Sequence, residues 1–527
     1  MPLQPQANQI GEVVVRGRQP EDNVQSTEMG TTRLDMKTIK LVPALLGEVD
    51  VIRTILLLPG VSTVGEGAAG FNVRGGGIDQ NLILLDDAPV MSGSHLFGLF
   101  SVFNPDAVSD VKLVKGGIPA QYGGRLSSLL DVRLKNGSTE KFGVTGGLGT
   151  ISSRLALEGP IQKGKSSFVV ASRRSYADLF LQLVPDQADN VAYFYDLTAK
   201  ASFTLGPRDG LFLSGYLGRD VFNFGTQFRT DFGNTLGSVR WQHTFNDRLS
   251  ANLTDLVSRY DYHLNVPTGT DGFDWNSGIL NRTGKVDFVY RRHANSTLTF
   301  GLSGTAYTVK PGRAQPTNAK SIFRSRELPN QTAAEYAAYV DHEQKLTERL
   351  AGQVGLRLSV FDYLGPGTAT TYAGPDGQQK TVVEEQAYGR NREIAEYVNL
   401  EPRASLRYTL NQTSSLKASY NRTVQNLHLI SNTTASSPLD VWTPSTNNIK
   451  AEHADQLAVG YFRNFRDNAY EASVEVYGKT MNNQIDYINE ADLLLNDRLE
   501  ADLLYGRGRA YGAEFYLKKT PVRLPTG

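Results

Sequence analysis

Hydrophobic and polar residues alternate with a period of two over most of the chain after about residue 140. The alternation is clearest in the segments 350–360, 398–408, 414–421, 470–476 and 511–517. Successive residues of a β-strand point to opposite faces of its sheet, so this period predicts strands with one apolar and one polar face. A soluble β-sandwich shows the same alternation, and the period alone does not distinguish it from a membrane barrel.

The lengths of the connections between the predicted strands favour a membrane β-barrel. Short polar turns, such as 206–210 and 411–413, alternate along the chain with long polar or aromatic segments, such as 363–397 and 424–451. Barrels of the bacterial outer membrane have short periplasmic turns and longer extracellular loops in this order. The connections therefore indicate a transmembrane antiparallel β-barrel.

The number of predicted strands does not suit a closed barrel. We count about 15 strands, the first at about 142–158 and the last at about 508–518, and bacterial barrels close with an even number. We therefore expect the chain to be truncated at its C-terminus, with a gap between its first and last strands. An open strand edge facing hydrocarbon is very unfavourable, because its backbone groups have no hydrogen-bond partners.

The part of the chain before the alternating region has a different pattern of apolar, polar and glycine residues. Residues 22–138 mix short apolar runs with glycine-rich turns, which predicts a compact α/β domain. Residues 1–21 are polar apart from one extended run at 10–16. We therefore divide the chain into an N-terminal extension (1–21), an α/β domain (22–138) and a partial barrel (139–527).

Composition excludes several classes of function. The chain has 527 residues, with 54 Lys and Arg against 54 Asp and Glu, so it lacks the excess positive charge of a dedicated nucleic-acid binder. It contains no cysteine, and its seven histidines show none of the usual metal-ligand spacings. We expect no metal site and no cofactor, and no motif indicates a catalytic residue.

Three motifs within residues 71–134 resemble the plug domain of TonB-dependent outer-membrane transporters. They are the turn VRG at 73–75, the strand and turn LLDDAPV at 84–90, and VKLVKGGIPAQYGGRLSSLLDV at 111–132. The form is similar to that of Bacteroidota-type receptors. The later part of the chain also resembles this family, at EPR beginning with Glu401, at 449–460 and at 508–515.

The resemblance implies a mainly β protein in which an N-terminal α/β plug fills a barrel of about 22 strands. It implies a receptor, not an enzyme, in the outer membrane of a Gram-negative bacterium. Such a receptor imports a scarce solute (a siderophore, cobalamin, an oligosaccharide or a peptide) with energy from the inner membrane. The implied partners are the TonB energy-transducing complex, outer-membrane lipids and the solute, with a surface lipoprotein as a further candidate, but no nucleic acid. No signal peptide is visible at the start of the chain.

The resemblance also suggests residues that hold the plug in the barrel. In the family, plug arginines pair with glutamates of the barrel wall, which makes Arg74 and Arg125 candidates on the plug. By strand parity, Glu401, Glu514 and, more weakly, Glu452 face the lumen. We expect Arg74 to lie within ion-pair distance of Glu452 or Glu514. Solvated charges that pair with nothing are the alternative.

The N-terminal extension contains a candidate TonB box at Glu12, Val13, Val14 and Val15. The energising partner would capture such a segment by strand addition, which needs an extended and β-prone sequence. The alternative is a linker strand that follows a regulatory domain found upstream in related receptors. The sequence leaves both interpretations open.

Aromatic residues suggest two further features. Phe273, Trp275 and Trp442 lie in predicted loops and are candidates for stacking on the solute. Aromatic residues near predicted strand ends fit the girdle that lines the membrane interfaces of such barrels. These residues are Tyr260, Tyr262, Tyr290, Tyr307, Phe361 and Tyr363.

Two motifs have alternative interpretations. Residues 159–166 (GPIQKGKS) fit the pattern of a phosphate-binding P-loop, but the β-prone residues that follow favour a hairpin turn over a helix. Asp86 and Asp87 are adjacent, which favours a turn over a catalytic pair. A non-energised channel or a scaffold for surface lipoproteins is the main alternative function, and a P-loop nucleotide hydrolase is a remote one.

Overall fold

The structure is a computed structural model of the chain. It describes residues 21–43, 47–63, 70–375, 377–431, 440–491, 493 and 496–519. The candidate TonB box, Glu12 to Val15, lies outside these residues.

The N-terminal part of the described chain forms a small α/β domain, which we call the plug. Its central sheet has the order β1-β8-β9-β4-β5, in which β4 and β9 are parallel and the other pairs antiparallel. The elements of this domain are α1 (Asp22–Gln25), β1 (Thr31–Asp35), α2 (Met36–Ile39), α3 (Val51–Leu56), β2 (Val61–Ser62), β3 (Asn72–Val73), β4 (Asn81–Leu85), β5 (Ala88–Pro89), β6 (Ser94–His95), β7 (Phe100–Ser101), β8 (Val108–Val114) and β9 (Ser128–Leu134).

The core of the plug continues into the surrounding wall. Asp50 caps the N-terminus of helix α3, and its side chain accepts a hydrogen bond from the Arg53 backbone N–H at 2.8 Å. Its buried residues Val51 and Ile55 belong to one apolar cluster with the strands of the central sheet. The same cluster includes the wall residues Ala156, Ala171, Tyr216 and Leu236. Burial of this apolar area therefore stabilises both the plug and its attachment to the wall.

The rest of the described chain forms one antiparallel sheet of 17 strands, which we call the wall. Its members in sheet order are β10 (Gly143–Leu148), β11 (Ser152–Gln162), β12 (Ser166–Ser175), β13 (Asn190–Thr204), β14 (Asp209–Phe224), β15 (Phe228–Asn246), β16 (Leu249–Asn265), β17 (Phe273–His293), β18 (Ser296–Pro316), β19 (Arg326–Glu327), β20 (Gln331–Lys345), β21 (Leu350–Leu364), β24 (Glu393–Asn411), β25 (Ser414–Gln425), β28 (Glu452–Phe465), β29 (Tyr470–Tyr487) and β30 (Leu503–Lys519).

The connections between these strands carry the remaining elements. Helix α4 (Ala177–Leu181) follows β12, the hairpin β22 (Gly367–Ala373) and β23 (Thr381–Tyr388) follows β21, and the hairpin β26 (Leu427–Ile430) and β27 (Val441–Pro444) follows β25. These long connections lie at one end of the wall. At the other end the turns have four residues or fewer, as at 205–208 and 466–469. We call the two ends the long-loop end and the short-turn end.

The wall has apolar side chains outside and small polar side chains inside. In β28, for example, Leu457 and Val459 are exposed on the outer face, whereas Gln456 and Ala458 are buried against the plug. A soluble protein would bury its apolar face instead. This arrangement suits a wall that borders hydrocarbon on its outer surface.

The structure corrects the predicted strand count of about 15. The segment 142–158 is not one strand, because the chain turns at residues 149–151 and forms two strands, β10 and β11, which pair with each other. The two-residue β19 was also not predicted. In the described residues β10 and β30 are the two edges of the sheet and do not pair with each other. The expected gap is thus confirmed there, whereas truncation of the chain stays a prediction.

Most of the predicted aromatic girdle is wrong. Tyr260, Tyr262, Phe361 and Tyr363 are buried, in apolar clusters on the inner side of the wall. Strand parity decides this, because each of them shares the inward face of its strand with other buried residues. Tyr307 likewise packs on Phe361, at a ring distance of 6.3 Å.

The two ambiguous motifs are turns, as predicted. Residues 159–166 span the end of β11, a tight turn and the first residue of β12, so a strand follows the motif where a P-loop needs a helix. Asp86 and Asp87 have φ angles of 49° and 76° and connect β4 to β5. Within the described residues no helix is long and apolar enough to span a membrane.

Candidate functional site

A buried ion-pair cluster joins the plug to the last strand of the wall. Arg74 donates hydrogen bonds to both carboxylate oxygens of Glu514 in β30, at 2.8 Å and 2.9 Å, and to Glu475 of β29 at 3.1 Å. Lys115, at the end of β8, donates to the same Glu514 carboxylate at 2.6 Å. Two plug cations thus face two wall carboxylates with almost no exposure to solvent.

Local backbone geometry brings Arg74 to this position. The turn after β3 places Arg74 and Gly75 in the left-handed region, with φ angles of 46° and 70°. A side chain at Gly60 would put its Cβ 1.9 Å from the Glu514 carboxylate, so only glycine leaves room for the pair.

The electrostatics of the cluster differ between its two cations. Burial lowers the pKa of both groups, since it disfavours the charged form. For Arg74, hydrogen bonds and charge from Glu514 and Glu475 outweigh burial and raise the pKa. For Lys115, burial outweighs Glu514, and its pKa lies below the usual value. Arg74 is therefore the permanently charged partner of the wall glutamates.

The other candidate residues for holding the plug lie apart from this cluster. Glu401 is close to two wall arginines, with Arg403 Nη2 at 2.9 Å and Arg357 Nε at 3.5 Å. Arg403 in turn donates to the plug backbone at Ile118, at 3.0 Å. Glu452 accepts a hydrogen bond from the plug residue Gln80 at 3.4 Å. Neither glutamate forms an ion pair with Arg74 or Arg125 among the described contacts.

Arg125 instead holds the inner hairpin β26–β27. Its Nη1 donates to the Leu427 carbonyl at 2.9 Å, and its guanidinium lies 5.3 Å from the ring centre of Trp442. Asp79 of the plug accepts from the backbone N–H of Leu429 at 3.3 Å and from the Gln425 amide at 2.7 Å. The position of this hairpin is therefore tied to two plug side chains.

A cavity of about 70 Å³ lies at the long-loop end between the plug, the wall and this hairpin. We call it the outer cavity. Its lining combines aromatic rings with charged groups at its base, which suits a ligand with both apolar and polar parts. The side chains that define it are Asp79, Phe97, Arg125, Phe232, Tyr260, Asp440 and Trp442.

Burial changes the pKa values of the charged groups at the base of this cavity. It raises the pKa of Asp79, against the opposing effect of Arg125. It lowers the pKa of Arg125, against the opposing effect of Asp79. Outside the cavity lining, burial and the charge of Arg125 lower the pKa of His428 in β26 to about 3, so this imidazole is neutral at physiological pH. A ligand with complementary charge would relieve these desolvation costs.

The three aromatic residues predicted to lie in loops and contact the solute are instead in strands, Phe273 and Trp275 in β17 and Trp442 in β27. Trp442 lines the outer cavity. Trp275 is buried and packs edge-on against Tyr262 at 5.3 Å. Phe273 packs on Phe323 at 4.8 Å. A role in solute binding stays a prediction for all three.

One important cluster was not predicted from the sequence. His95, in the short plug strand β6, contacts Asp220 of β14 at 2.7 Å, the Tyr216 hydroxyl at 3.0 Å and Asp196 of β13 at 3.4 Å. Its ring also stacks on Phe194 at 4.3 Å. A lone histidine in a glycine- and serine-rich segment gives no signal for such a contact.

One group of three carboxylates lies close enough to hold a metal ion among the described residues. The side chains of Asp362, Glu393 and Glu396 approach within 4.8 Å of one another on β21 and β24. The two glutamates are exposed, and exposed acidic groups of this kind are common without a metal.

Comparisons with known proteins agree with this architecture. The sequence matches the family model of the TonB-dependent receptor plug domain over residues 23–128 and the model of the TonB-dependent receptor-like β-barrel over residues 176–520. No curated protein matches the sequence at a significant level.

Solved structures with the same fold are distant in sequence. The copper transporter OprC has a TM-score of 0.67 and 13% identity, over 94% of this chain and 79% of that one. The alcaligin outer-membrane receptor FauA from Bordetella pertussis has a TM-score of 0.62 and 15% identity, over 95% and 78%. The Serratia marcescens hemophore receptor HasR, solved with its hemophore and heme, has a TM-score of 0.63 and 13% identity, over 93% and 79%. At these identities the similarity shows the fold alone.

Proposed function

The chain belongs to the TonB-dependent receptors, and we propose that it imports a scarce solute across the outer membrane with energy from the TonB complex. The family resides in the outer membrane of Gram-negative bacteria and consists of receptors and transporters, not enzymes. The solute would be a siderophore, cobalamin, an oligosaccharide or a peptide. A surface lipoprotein is a further proposed partner.

The observation that carries the proposal is the position of the plug between the two ends of the wall. The outer cavity lies at the long-loop end, above the plug. The first described residue, Glu21, accepts a hydrogen bond from Asn468 in a turn at the short-turn end, at 2.8 Å. A solute bound at one end and an energising partner pulling from the other would act on the same plug.

We propose two functional groups of residues on this basis. Arg74 and Lys115, with Glu475 and Glu514, hold the plug against the wall. Trp442, Arg125 and the rest of the lining of the outer cavity bind the solute. The first group lies deep in the lumen and the second beneath the long loops, so docking and solute binding can be tested separately.

A proline in the candidate TonB box tests the energy coupling. Proline removes a backbone N–H and disfavours a paired strand, so Val14→Pro should block strand addition by the partner. We expect Val14→Pro in the full-length receptor to abolish receptor-dependent growth on the limiting solute while leaving solute binding to cells unchanged. Gln6→Pro, in the polar segment before the box, is the matched control and should grow normally.

The alternatives give different outcomes in the same strains. Normal growth of Val14→Pro would contradict the assignment of the TonB box and favour a linker at residues 12–15. Receptor-dependent growth in a strain without the TonB complex would contradict energised import and favour a channel. The limiting solute is identified by comparing iron, cobalamin, oligosaccharide and peptide limitation in a strain that lacks the receptor.

A further inference from the structure

A second cavity lies beside the plug and not above it. It has a volume of about 130 Å³ and separates the plug segment 121–125 from the inner face of β16 to β21. We call it the side cavity. Met91 and Arg125 line both the side cavity and the outer cavity, so the two are neighbours along the plug. A solute that leaves the outer cavity along this face of the plug would enter the side cavity.

The charges around the side cavity favour an anion. Three cations, Arg125, Lys285 and Arg357, face two carboxylates, Asp87 and Glu335. Asp87 is already neutralised by hydrogen bonds from Arg133 and Arg240, and Lys285 lies 3.1 Å from Asp287. Glu335 accepts a hydrogen bond from the Tyr307 hydroxyl at 3.1 Å. Of the charged groups that line the cavity, this leaves the two cations Arg125 and Arg357 facing the single carboxylate of Glu335.

Arg357 is deeply buried but incompletely paired. It is 5% exposed, and its Nη1 has no hydrogen-bond partner among the residues that the structure describes. Its nearest carboxylate, Glu401, lies 3.5 Å from Nε and already accepts from Arg403 at 2.9 Å and Ser359 at 3.2 Å. A buried cationic donor without an acceptor is unfavourable by more than an ordinary lost hydrogen bond. An incoming oxyanion would remove this cost.

The plug leaves room for this guanidinium at a glycine. A Cβ at Gly123 would lie 2.4 Å from Arg357 Nε. Gly123 belongs to the same plug segment as Arg125, so the absence of a side chain allows a plug arginine and a wall arginine to line one cavity. The volume of the cavity is enough for several water molecules or for one carboxylate or phosphate group.

We propose that the side cavity binds an oxyanion group, a carboxylate or phosphate, of the transported solute between Arg125 of the plug and Arg357 of the wall. The site lies between the plug and the wall, apart from the aromatic lining of the outer cavity. Transport of that group rests on the proposed function, whereas oxyanion binding does not. The arginine geometry suits planar or tetrahedral oxyanions, because a guanidinium donates two parallel hydrogen bonds.

The direct test uses inorganic phosphate and the purified full-length receptor in detergent. We expect phosphate to raise the thermal unfolding temperature more than chloride at equal ionic strength. The apparent dissociation constant for phosphate should rise about tenfold or more in Arg357→Gln and in Arg125→Gln, since each loses charge-assisted hydrogen bonds to the anion. The control Arg259→Gln removes an exposed arginine of β16 and should leave the constant unchanged.

A second variant guards against a folding defect. Arg357→Lys keeps the positive charge but not the bidentate geometry, so it should bind phosphate more weakly than the wild type and more strongly than Arg357→Gln. A crystal of the wild type soaked in selenate should show the anomalous signal of selenium in the side cavity. Absence of selenate there, or equal phosphate affinity in all four variants, would overturn the proposal of an oxyanion site.

Receptor-dependent growth distinguishes a group on the solute from a free anion. If the oxyanion belongs to the solute, Arg357→Gln should slow growth on the limiting solute, while Arg259→Gln should not. Loss of phosphate binding with unchanged growth would overturn the assignment to the solute and leave a site for a free anion. Neither outcome depends on the TonB box, so failure here is separate from failure of the energised-import proposal.

Discussion

Arg74 is among the largest fully buried side chains of the described residues, and its neighbours explain why it is tolerated there. A buried charge is very unfavourable unless it is paired and hydrogen-bonded. Glu514 and Glu475 accept three hydrogen bonds from the guanidinium, and the centre of the Tyr477 ring lies 4.8 Å from the guanidinium carbon. Removing this one cation would leave two wall carboxylates with Lys115 as their remaining cation.

We therefore predict that Arg74→Ala weakens docking of the plug by about 3–5 kcal/mol, the usual effect of breaking a buried ion pair. The measurement is the rate at which protease cleaves the plug in the detergent-solubilised receptor, which should increase strongly. Arg259→Ala is the control. Its side chain is 61% exposed and pairs with Asp261 at the surface, so the effect should stay below about 1 kcal/mol. Equal cleavage rates for both variants would contradict the prediction.

Part of this cluster could be predicted from the sequence. The glycine-rich VRG turn and the inward parity of β30 pointed to Arg74 and Glu514, and the structure places them in contact. Glu475 lies on the buried face of β29, but nothing in the sequence marks it as a partner of Arg74. Lys115 ends a plug strand, and its neighbours in the sequence give no sign that it reaches the wall.

The partners of Glu401 show why pairing across strands is hard to predict. Glu401 lies directly opposite Arg357 in the register of β21 and β24, which are separated by a long connection. The sequence does not fix the register across such a connection. It therefore gives no reason to prefer Arg357 over the plug arginines as the partner of Glu401. The signal that was available is Arg403, which lies two residues from Glu401 and so on the same face of the strand.

At the scale of elements, the alternation of polar and apolar residues predicted where strands exist. It was less successful in predicting where each strand ends and which strand it pairs with. The chain reverses at residues 149–151, and the outward apolar positions change from even numbers in β10 (Val144 and Leu148) to odd numbers in β11 (Leu155 and Leu157). The inner hairpin β26–β27 was also missed, since its strands have four residues each. Such short strands carry too few alternating positions to stand out from a loop.

The plug loop that contains the short strand β6 is attached to the wall through the charge of His95. Burial lowers the pKa of His95, but Asp220 and Asp196 outweigh it and raise the pKa to about 9. The raised pKa means that the protonated form stabilises the docked loop. Its contribution is complete below the unfolded pKa of about 6.5 and is lost as the pH rises through about 9.

We predict that this contribution is about 3 kcal/mol at pH 6 and is almost absent at pH 10, because folding raises the pKa of His95 from 6.5 to about 9. The measurement is the thermal unfolding of the wild type and His95→Gln across this pH range. The difference in unfolding temperature between them should be large at pH 6 and should shrink at pH 10. A difference that does not change with pH would show that His95 acts through packing on Phe194 alone.

At the scale of the whole molecule, two signals along the sequence agreed on the barrel wall, whereas the plug inside it was implied by the family resemblance. Alternation gave the strands, and the order of short and long connections gave the two ends of the wall. The side on which each residue proposed to contact the solute lies could not be predicted in the same way. It depends on how the plug packs in the lumen, and contacts such as those of Arg125 with β26 join residues 302 positions apart.

The difference in connection length between the long-loop end and the short-turn end predicts the orientation of the receptor in the outer membrane. The long loops should face outward to meet the solute, and the short turns should face the periplasm, where Glu21 leads to the N-terminal extension. Gln379, beside the tip of hairpin β22–β23, and Asp247, in the turn after β15, are exposed at opposite ends. The chain has no cysteine of its own, so one cysteine introduced at either position reports only on that position.

We predict that Gln379→Cys reacts in intact cells with a maleimide too large to cross the outer membrane, whereas Asp247→Cys reacts only after that membrane is permeabilised. The measurement is the shift in mobility of the labelled receptor on a denaturing gel, and both variants should support receptor-dependent growth. Labelling in the opposite order would place the N-terminal extension on the cell surface. Because the energising complex acts from the inner membrane, strand addition to residues 12–15 would then be impossible, and energised import would be contradicted together with the orientation.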